Sequence, residues 1–133
     1  MTANPIQGSC LCGQVAFEAD PVLNMYLYCF CSRCRKKSGS AHSANLFLDR
    51  KHFRWLTGED KITTYELPDV ARLANCFCST CGSRMPRIMD ELVSIPAGSL
   101  DKDPAVMPDK CIHWDSHAGW LPSRERLPKV AET

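Results

Sequence analysis

The chain has 133 residues, with 16 Lys and Arg against 15 Asp and Glu, for a net charge of +1. A balance so near zero argues against bulk duplex DNA or an anionic membrane as partner. The 44% hydrophobic and 23% charged fractions exclude global disorder.

In chain order, short β segments between turns dominate. The expected strands are Gln14–Glu18, Asn24–Cys29, His42–Leu48, His52–Leu56, Lys61–Leu67, Arg72–Phe77, Arg84–Met89 and Leu92–Pro96. Asp20-Pro21, Thr57-Gly58, Pro68-Asp69 and Gly98 punctuate them as turns. The close spacing predicts an all-β fold, a sandwich or a curled sheet. One short helix is expected at Arg33–Ser38, capped by Ser32 and ended by Gly39. After Gly98 the chain is rich in Pro and Asp as far as Pro108, and Cys111–Trp120 is then expected to lie across the sheet. No linker divides the sequence, so a single domain over residues 1–133 is expected, burying roughly two thirds of its unfolded surface.

No apolar run approaches the ~20 residues of a transmembrane helix. The opening M-T-A-N-P-I-Q-G-S-C lacks the basic and apolar regions of a secretory signal. A cytoplasmic location is the expectation.

Nine cysteines are the outlier. Their number is odd, and thiols stay reduced in the cytosol, so clusters there point to metal binding or chemistry rather than disulfides. Cys10 and Cys12 sit in C-L-C-G; Cys29, Cys31 and Cys34 in C-F-C-S-R-C; Cys76, Cys78 and Cys81 in C-F-C-S-T-C-G; Cys111 stands alone. Two sulfurs on one tetrahedral zinc are roughly 3.8 Å apart, whereas residues i and i+2 of a strand are roughly 6.6 Å apart. A C-x-C pair must therefore pinch inward. Gly13 after Cys12 and Gly82 after Cys81 allow such turns, because glycine takes positive φ without cost.

Two knuckles far apart in sequence, Cys10 with Cys12 and Cys78 with Cys81, make a closed four-thiolate zinc site. Cys29, Cys31 and Cys34 offer three ligands and an open position, the pattern of a catalytic zinc. A closed second site, with Cys76, Cys111 or a histidine as fourth ligand, is the other possibility. So is a three-thiol set on Cys76, Cys78 and Cys81, because spacing alone does not fix the partition. Cys34 falls in the first turn of the helix, where the dipole favours a thiolate. Arg33, Arg35, Lys36 and Lys37 surround it.

These motifs resemble the glutathione-dependent formaldehyde-activating (GFA) family, which includes centromere protein V. The resemblance rests on G-x-C-x-C-G at Gly8–Gly13 and C-x-C-x-x-C-R-K-x-S-G at Cys29–Gly39. It rests also on F-C-x-x-C-G-S at Phe77–Ser83, G-S-L-D at Gly98–Asp101 and A-x-W at Ala118–Trp120. It runs from about Gly8 to Leu127. It implies a twisted all-β fold with zinc knuckles, similar to methionine-R-sulfoxide reductases. It also implies two zinc ions per chain, a structural one on Cys10, Cys12, Cys78 and Cys81 and a catalytic one on Cys29, Cys31 and Cys34. The activity implied is that of a carbon–sulfur lyase joining formaldehyde to glutathione as S-(hydroxymethyl)glutathione. Phe30 departs from the His common at its position, and Cys76 and Cys111 lie outside the pattern.

The expected partners are thus a small glutathione-like thiol and an aldehyde, with neither nucleic acid nor membrane. Arg35, Lys36 and Trp120 are candidate substrate contacts. His42, His113, Asp115 and His117 are candidate proton shuttles. Two other readings compete: a non-catalytic zinc-stabilised binding module, and a thiol-redox enzyme on the same fold using Cys76 or Cys111.

Overall fold

The structure, a computed structural model, describes residues 4–70, 73–121, 123 and 126–132. Its strands are β1 (Ile6–Ser9), β2 (Ala16–Ala19), β3 (Leu23–Cys29), β4 (Ser43–Asp49), β5 (Phe53–Thr57), β6 (Ile62–Glu66), β7 (Ala74–Cys78), β8 (Arg87–Met89), β9 (Leu92–Pro96) and β10 (Lys110–Ile112). One helix, α1 (Ser32–Ser38), interrupts them. The fold is mostly β, in open sheets, as the spacing predicts. Each expected strand overlaps an observed one. The first residue of the expected Arg72–Phe77 lies outside the described residues, and Arg84–Met89 shortens to Arg87–Met89.

The strands form three sheets: β1-β2-β5, β10-β3-β4-β9-β8 and β6-β7. Alternation along the central strands decides what each face does, because successive side chains point to opposite sides. Leu46 and Leu48 of β4 and Val93 and Ile95 of β9 turn to one face and are wholly buried. They meet Ile6, Phe17 and Ala19 of the three-stranded sheet, and Val15 just before β2, in one apolar cluster. Phe17 lies 5.8 Å from Phe53 and 6.4 Å from Trp55, ring to ring. Each such buried side chain contributes about 1.5–3 kcal/mol by leaving water. The opposite face carries Ser43, Asn45 and Phe47 of β4 and Ser94 and Pro96 of β9. Polar groups among these mark it as a working surface, and it floors a cavity.

The start of the stretch Cys111–Trp120 extends the sheet instead of crossing it: β10 pairs in parallel with the edge of β3, Lys110 against Leu27 and Ile112 against Cys29. Asp109 sets that register. Its carboxylate accepts from the Tyr26 N–H at 2.8 Å, and its own N–H donates to the Tyr26 carbonyl at 2.7 Å. This pair makes the five-stranded sheet mixed rather than purely antiparallel. After β10, His113 adopts a left-handed φ of 54° and starts a 3-10 turn over Trp114–Ser116. β1 and β10 escape a pattern reading because they are four and three residues long. Their pairing partners, not their own composition, make them strands.

Candidate metal centres

The first cluster is built by two turns that meet across the molecule. Gly13 and Gly82 both hold left-handed φ, 82° and 77°, and no neighbouring atom lies within 4 Å of where a Cβ would stand. Their φ, not crowding, is what demands glycine. The Gly13 N–H donates to the Cys10 carbonyl at 3.0 Å and the Gly82 N–H to the Cys78 carbonyl at 2.8 Å, closing each knuckle. Cys10, Cys12, Cys78 and Cys81 then present four sulfurs within 4.8 Å of one another. Cys10 Sγ lies 3.6 Å from Cys12 Sγ, which lies 3.9 Å from Cys78 Sγ. Both bracket the roughly 3.8 Å separation of two sulfurs on a tetrahedral zinc.

The electrostatics of these thiols are uneven. The Ser83 hydroxyl, with the Ser83 N–H, pulls the Cys81 thiol down to about 5. The Gln14 N–H favours the Cys12 thiolate, but burial and the three neighbouring sulfurs outweigh it and push that thiol up to about 11. Burial raises Cys10, yet the Val15 N–H, 3.3 Å from its sulfur, and the sulfurs of Cys12 and Cys78 bring it below the ordinary thiol range. Four sulfurs this close cannot all ionise alone; a divalent soft cation resolves the conflict. The donor set fits zinc.

The second cluster comes from one continuous turn, the end of β3 into α1. Cys29, Cys31 and Cys34 bring three sulfurs within 4.8 Å of one another. The helix cap is Cys31, not the expected Ser32: Cys31 Sγ accepts from the Cys34 N–H at 3.4 Å. The helix ends at Gly39 as expected, in left-handed conformation, its N–H on the Arg35 carbonyl at 2.8 Å. Burial first, then crowding by Cys34 and Cys31, pushes the Cys29 thiol up to about 12. Burial also raises Cys31, but the Cys34 N–H and the flanking thiols bring it lower than usual. This set too has the donors zinc prefers. Among the described residues no further His, Cys, Asp or Glu joins it. Cys76, Cys111 and the histidines, the sequence's alternative fourth ligands, stand apart.

A cavity of about 180 Å³ opens beside this second cluster. Its floor is the far face of the central sheet, with Leu27, Cys29, Ser43, Asn45 and Phe47. Its roof is α1, through Cys34 and Lys37, and the chain around β7, through Leu73, Cys76 and Arg84. A second, wider hollow of about 690 Å³ runs from Cys10 and Ser83 of the first knuckles to Lys37, Ser38 and His42 beside α1. Lys37 and Arg84 border both.

The other candidate residues scatter. Lys36 lines a shallow apolar groove between α1 and the β6–β7 sheet. Arg35 donates to the Ser116 carbonyl at 3.3 Å, tying α1 to the turn after β10. Trp120 is 65% exposed and borders neither hollow beside the clusters. His42 stacks on Tyr28 at 4.2 Å and faces Phe30 at 4.8 Å, with Nδ1 3.0 Å from the Ser43 carbonyl. His117 stacks on Trp114 at 4.4 Å. Cys76 is buried, 3.3 Å from the Thr64 hydroxyl, while Cys111 is exposed. Arg84 escaped the sequence reading; its signal was its place directly after C-G-S, where the knuckle returns toward the second cluster.

Fold and site together define a β-rich protein organised around two thiolate clusters, one built by two knuckles and one beside a cavity. Similar proteins place it further. A sequence model of the family described as "Glutathione-dependent formaldehyde-activating enzyme" matches residues 5–116. The chain belongs to that family. A crystal structure of a Rhodobacter sphaeroides protein is similar at a TM-score of 0.58 and 23% identity, covering 79% of this chain and 98% of that one. That likeness speaks to the fold. Comparison with curated proteins gives no match.

Proposed function

We propose that the chain is a zinc-dependent enzyme of the carbon–sulfur lyase type, acting on adducts of a thiol and an aldehyde such as S-(hydroxymethyl)glutathione. The observation that carries this reading is the three-thiol cluster beside the cavity, which no other metal-ligating side chain among the described residues completes. Cys10, Cys12, Cys78 and Cys81 would hold a structural zinc, and Cys29, Cys31 and Cys34 a second one. A zinc held by Cys29, Cys31 and Cys34 would lower the pKa of an incoming thiol and would leave its sulfur nucleophilic. In the synthetic direction the substrate sulfur bonds to the aldehyde carbon, the carbonyl π pair moves to oxygen, and the thiol proton ends on that oxygen. The reverse breaks the same C–S bond.

This condensation needs no strong acid or base, so the chain's main contribution is to hold two small reactants together. The cavity walls do this, with Asn45, Ser43 and the cations Lys37 and Arg84 supplying orientation. The expected setting is a reducing cytoplasm, where the nine thiols remain free for metal.

Cobalt substitution tests the reading. Two metals per chain are expected, with a thiolate absorption band that changes when glutathione is added. A spectrum indifferent to thiols, with both metals bound, would make the chain a zinc-stabilised binding module instead.

A further inference from the structure

The cavity beside the second cluster has a cationic lining. Lys37, Arg84 and Arg87 line it, and no Asp or Glu does; its other titratable groups are the thiols of Cys29, Cys34 and Cys76. Lys37 Nζ donates to the Ala74 carbonyl at 3.2 Å, and Arg84 Nε is buried with no partner. Among the described residues, ion pairs gather on Glu18, Asp20, His52 and Arg54, and reach neither Lys37 nor Arg84. A second orphan faces them. Asn45 Nδ2 donates to the Ser43 hydroxyl at 3.2 Å, but its Oδ1 is buried and unpartnered. Buried polar atoms without partners, such as Arg84 Nε and Asn45 Oδ1, cost stability, so a site that keeps them is built for something that arrives.

Charge and volume say what arrives. Three thiolates on a divalent zinc carry one net negative charge. Lys37, Arg84 and Arg87 carry three positive ones, so positive charge exceeds negative in the lining. An anion is what the site attracts. Arg84 offers forked donors that match a carboxylate. A dry cavity of about 150 Å³ holds benzene, so about 180 Å³ admits a ligand of that size. A tripeptide exceeds this volume, so only part of one would lie inside.

The geometry points to a carboxylate subsite: Arg84 and Lys37 bind the carboxylate of a small substrate whose thiol or adduct end faces Cys29 and Cys34. The hydroxyl of the adduct is the donor that Asn45 Oδ1 lacks. The substrate class is then a two- or three-carbon mercapto acid, or the terminal carboxylate of a larger thiol. This assignment rests on the thiol–aldehyde reading for the ligand's sulfur, but not for its carboxylate.

The test uses zinc-loaded protein, titrated with acetate, mercaptoacetate, 2-mercaptoethanol and glutathione. The Arg84 Nε–H is followed by NMR and affinity by calorimetry. Acetate is expected to shift that resonance. Mercaptoacetate is expected to bind at least about tenfold tighter than 2-mercaptoethanol, a difference of one charged hydrogen-bonded pair. In Arg84→Met and Lys37→Met that preference falls toward unity with zinc content unchanged. Two variants are used so that a folding failure in one leaves the other decisive. Equal binding of the two thiols by the wild type, or a preference that survives both substitutions, overturns the subsite. So does an Arg84 Nε–H indifferent to acetate. Acetate binding without any thiol binding upholds the subsite and removes the lyase reading. Glutathione displacing acetate supports a peptide carboxylate as occupant; displacement by mercaptoacetate alone supports the free small acid.

Discussion

The two cysteine clusters use the same donor atom in opposite ways. The first draws its sulfurs from turns far apart in the chain; Cys12 and Cys78 are separated by 66 positions. The second draws all three from the single turn Cys29–Cys34. Closing a long loop removes more freedom from the unfolded chain than closing a short one. A metal in the first cluster therefore clamps the three-stranded sheet to β7, whereas one in the second constrains little that β3 and α1 do not already hold. The surroundings differ as well. The first borders the wider hollow through Cys10 and leaves Cys12 exposed, while the second borders a cavity lined by cations and by no carboxylate. The contrast in loop length makes the first cluster the stronger clamp.

The sharpest way to break this contrast is Cys78→Ser. Cys78 is wholly buried, and a structural zinc in a small domain supplies about 10–16 kcal/mol of apparent binding energy to folding. The variant is expected to lose the structural metal and its cooperative melt, read by zinc content and circular dichroism. A folded variant that keeps two zincs would remove the clamp. Leu46→Ala comes next, as a purely apolar comparison. It opens a hole between the sheets and is expected to cost about 2–5 kcal/mol with zinc content unchanged, measured by urea denaturation. Cys34→Ser should cost less in stability, shifting the melting temperature by only a few degrees, roughly what 1 kcal/mol does in a domain of this size. It should nonetheless abolish the second metal and adduct turnover. If it unfolds the chain as Cys78→Ser does, the division of labour is wrong.

Much of this was legible in the sequence, for a definable reason. The knuckles announce themselves through Cys-Gly pairs because a left-handed residue after a ligand is a backbone requirement. The long strands announce themselves through period-two alternation, and β9 matches its expected bounds, Leu92–Pro96. What was hidden depends on tertiary pairing. β10 is a strand only because Asp109 staples it to Tyr26. The Cys31 cap hides because thiols are not among the usual capping side chains. Arg84 matters because β7 and the far face of β4 enclose it, and neither the neighbour nor the face is written near position 84. The basic run at Arg33–Lys37 illustrates the limit from the other side. Of its members Lys37 borders the cavity beside the second cluster, Lys36 faces only the groove against β6–β7, and Arg35 holds the turn after β10.

The smallest expected effect separates the clusters from the rest of the molecule by pH. Acid should release metal as thiolates protonate, because ligation and protonation compete for the same sulfurs. A second acid-sensitive group sits on the β2–β5 side. Asp20 accepts from His52 Nδ1 at 3.1 Å and from Arg54 at 3.2 Å, and the His52 hydrogen bond, then the Arg54 one, hold its carboxyl below the ordinary 3.8. A carboxylate depressed in the folded state binds fewer protons there than when unfolded. Its contribution is therefore present above about 3.9, the unfolded value. It is lost as pH falls through the lower folded value. Asp20 is exposed and its pairs are screened, so the effect is small. In Asp20→Asn the stability difference from wild type should vanish at the acid end of that window, while the pH of zinc release stays put. Denaturation curves run alongside zinc release at each pH check this. A shift in zinc release with Asp20→Asn would mean that the clusters and the β2–β5 edge unfold as one unit, and that the clamp reaches further than Cys10 and Cys12.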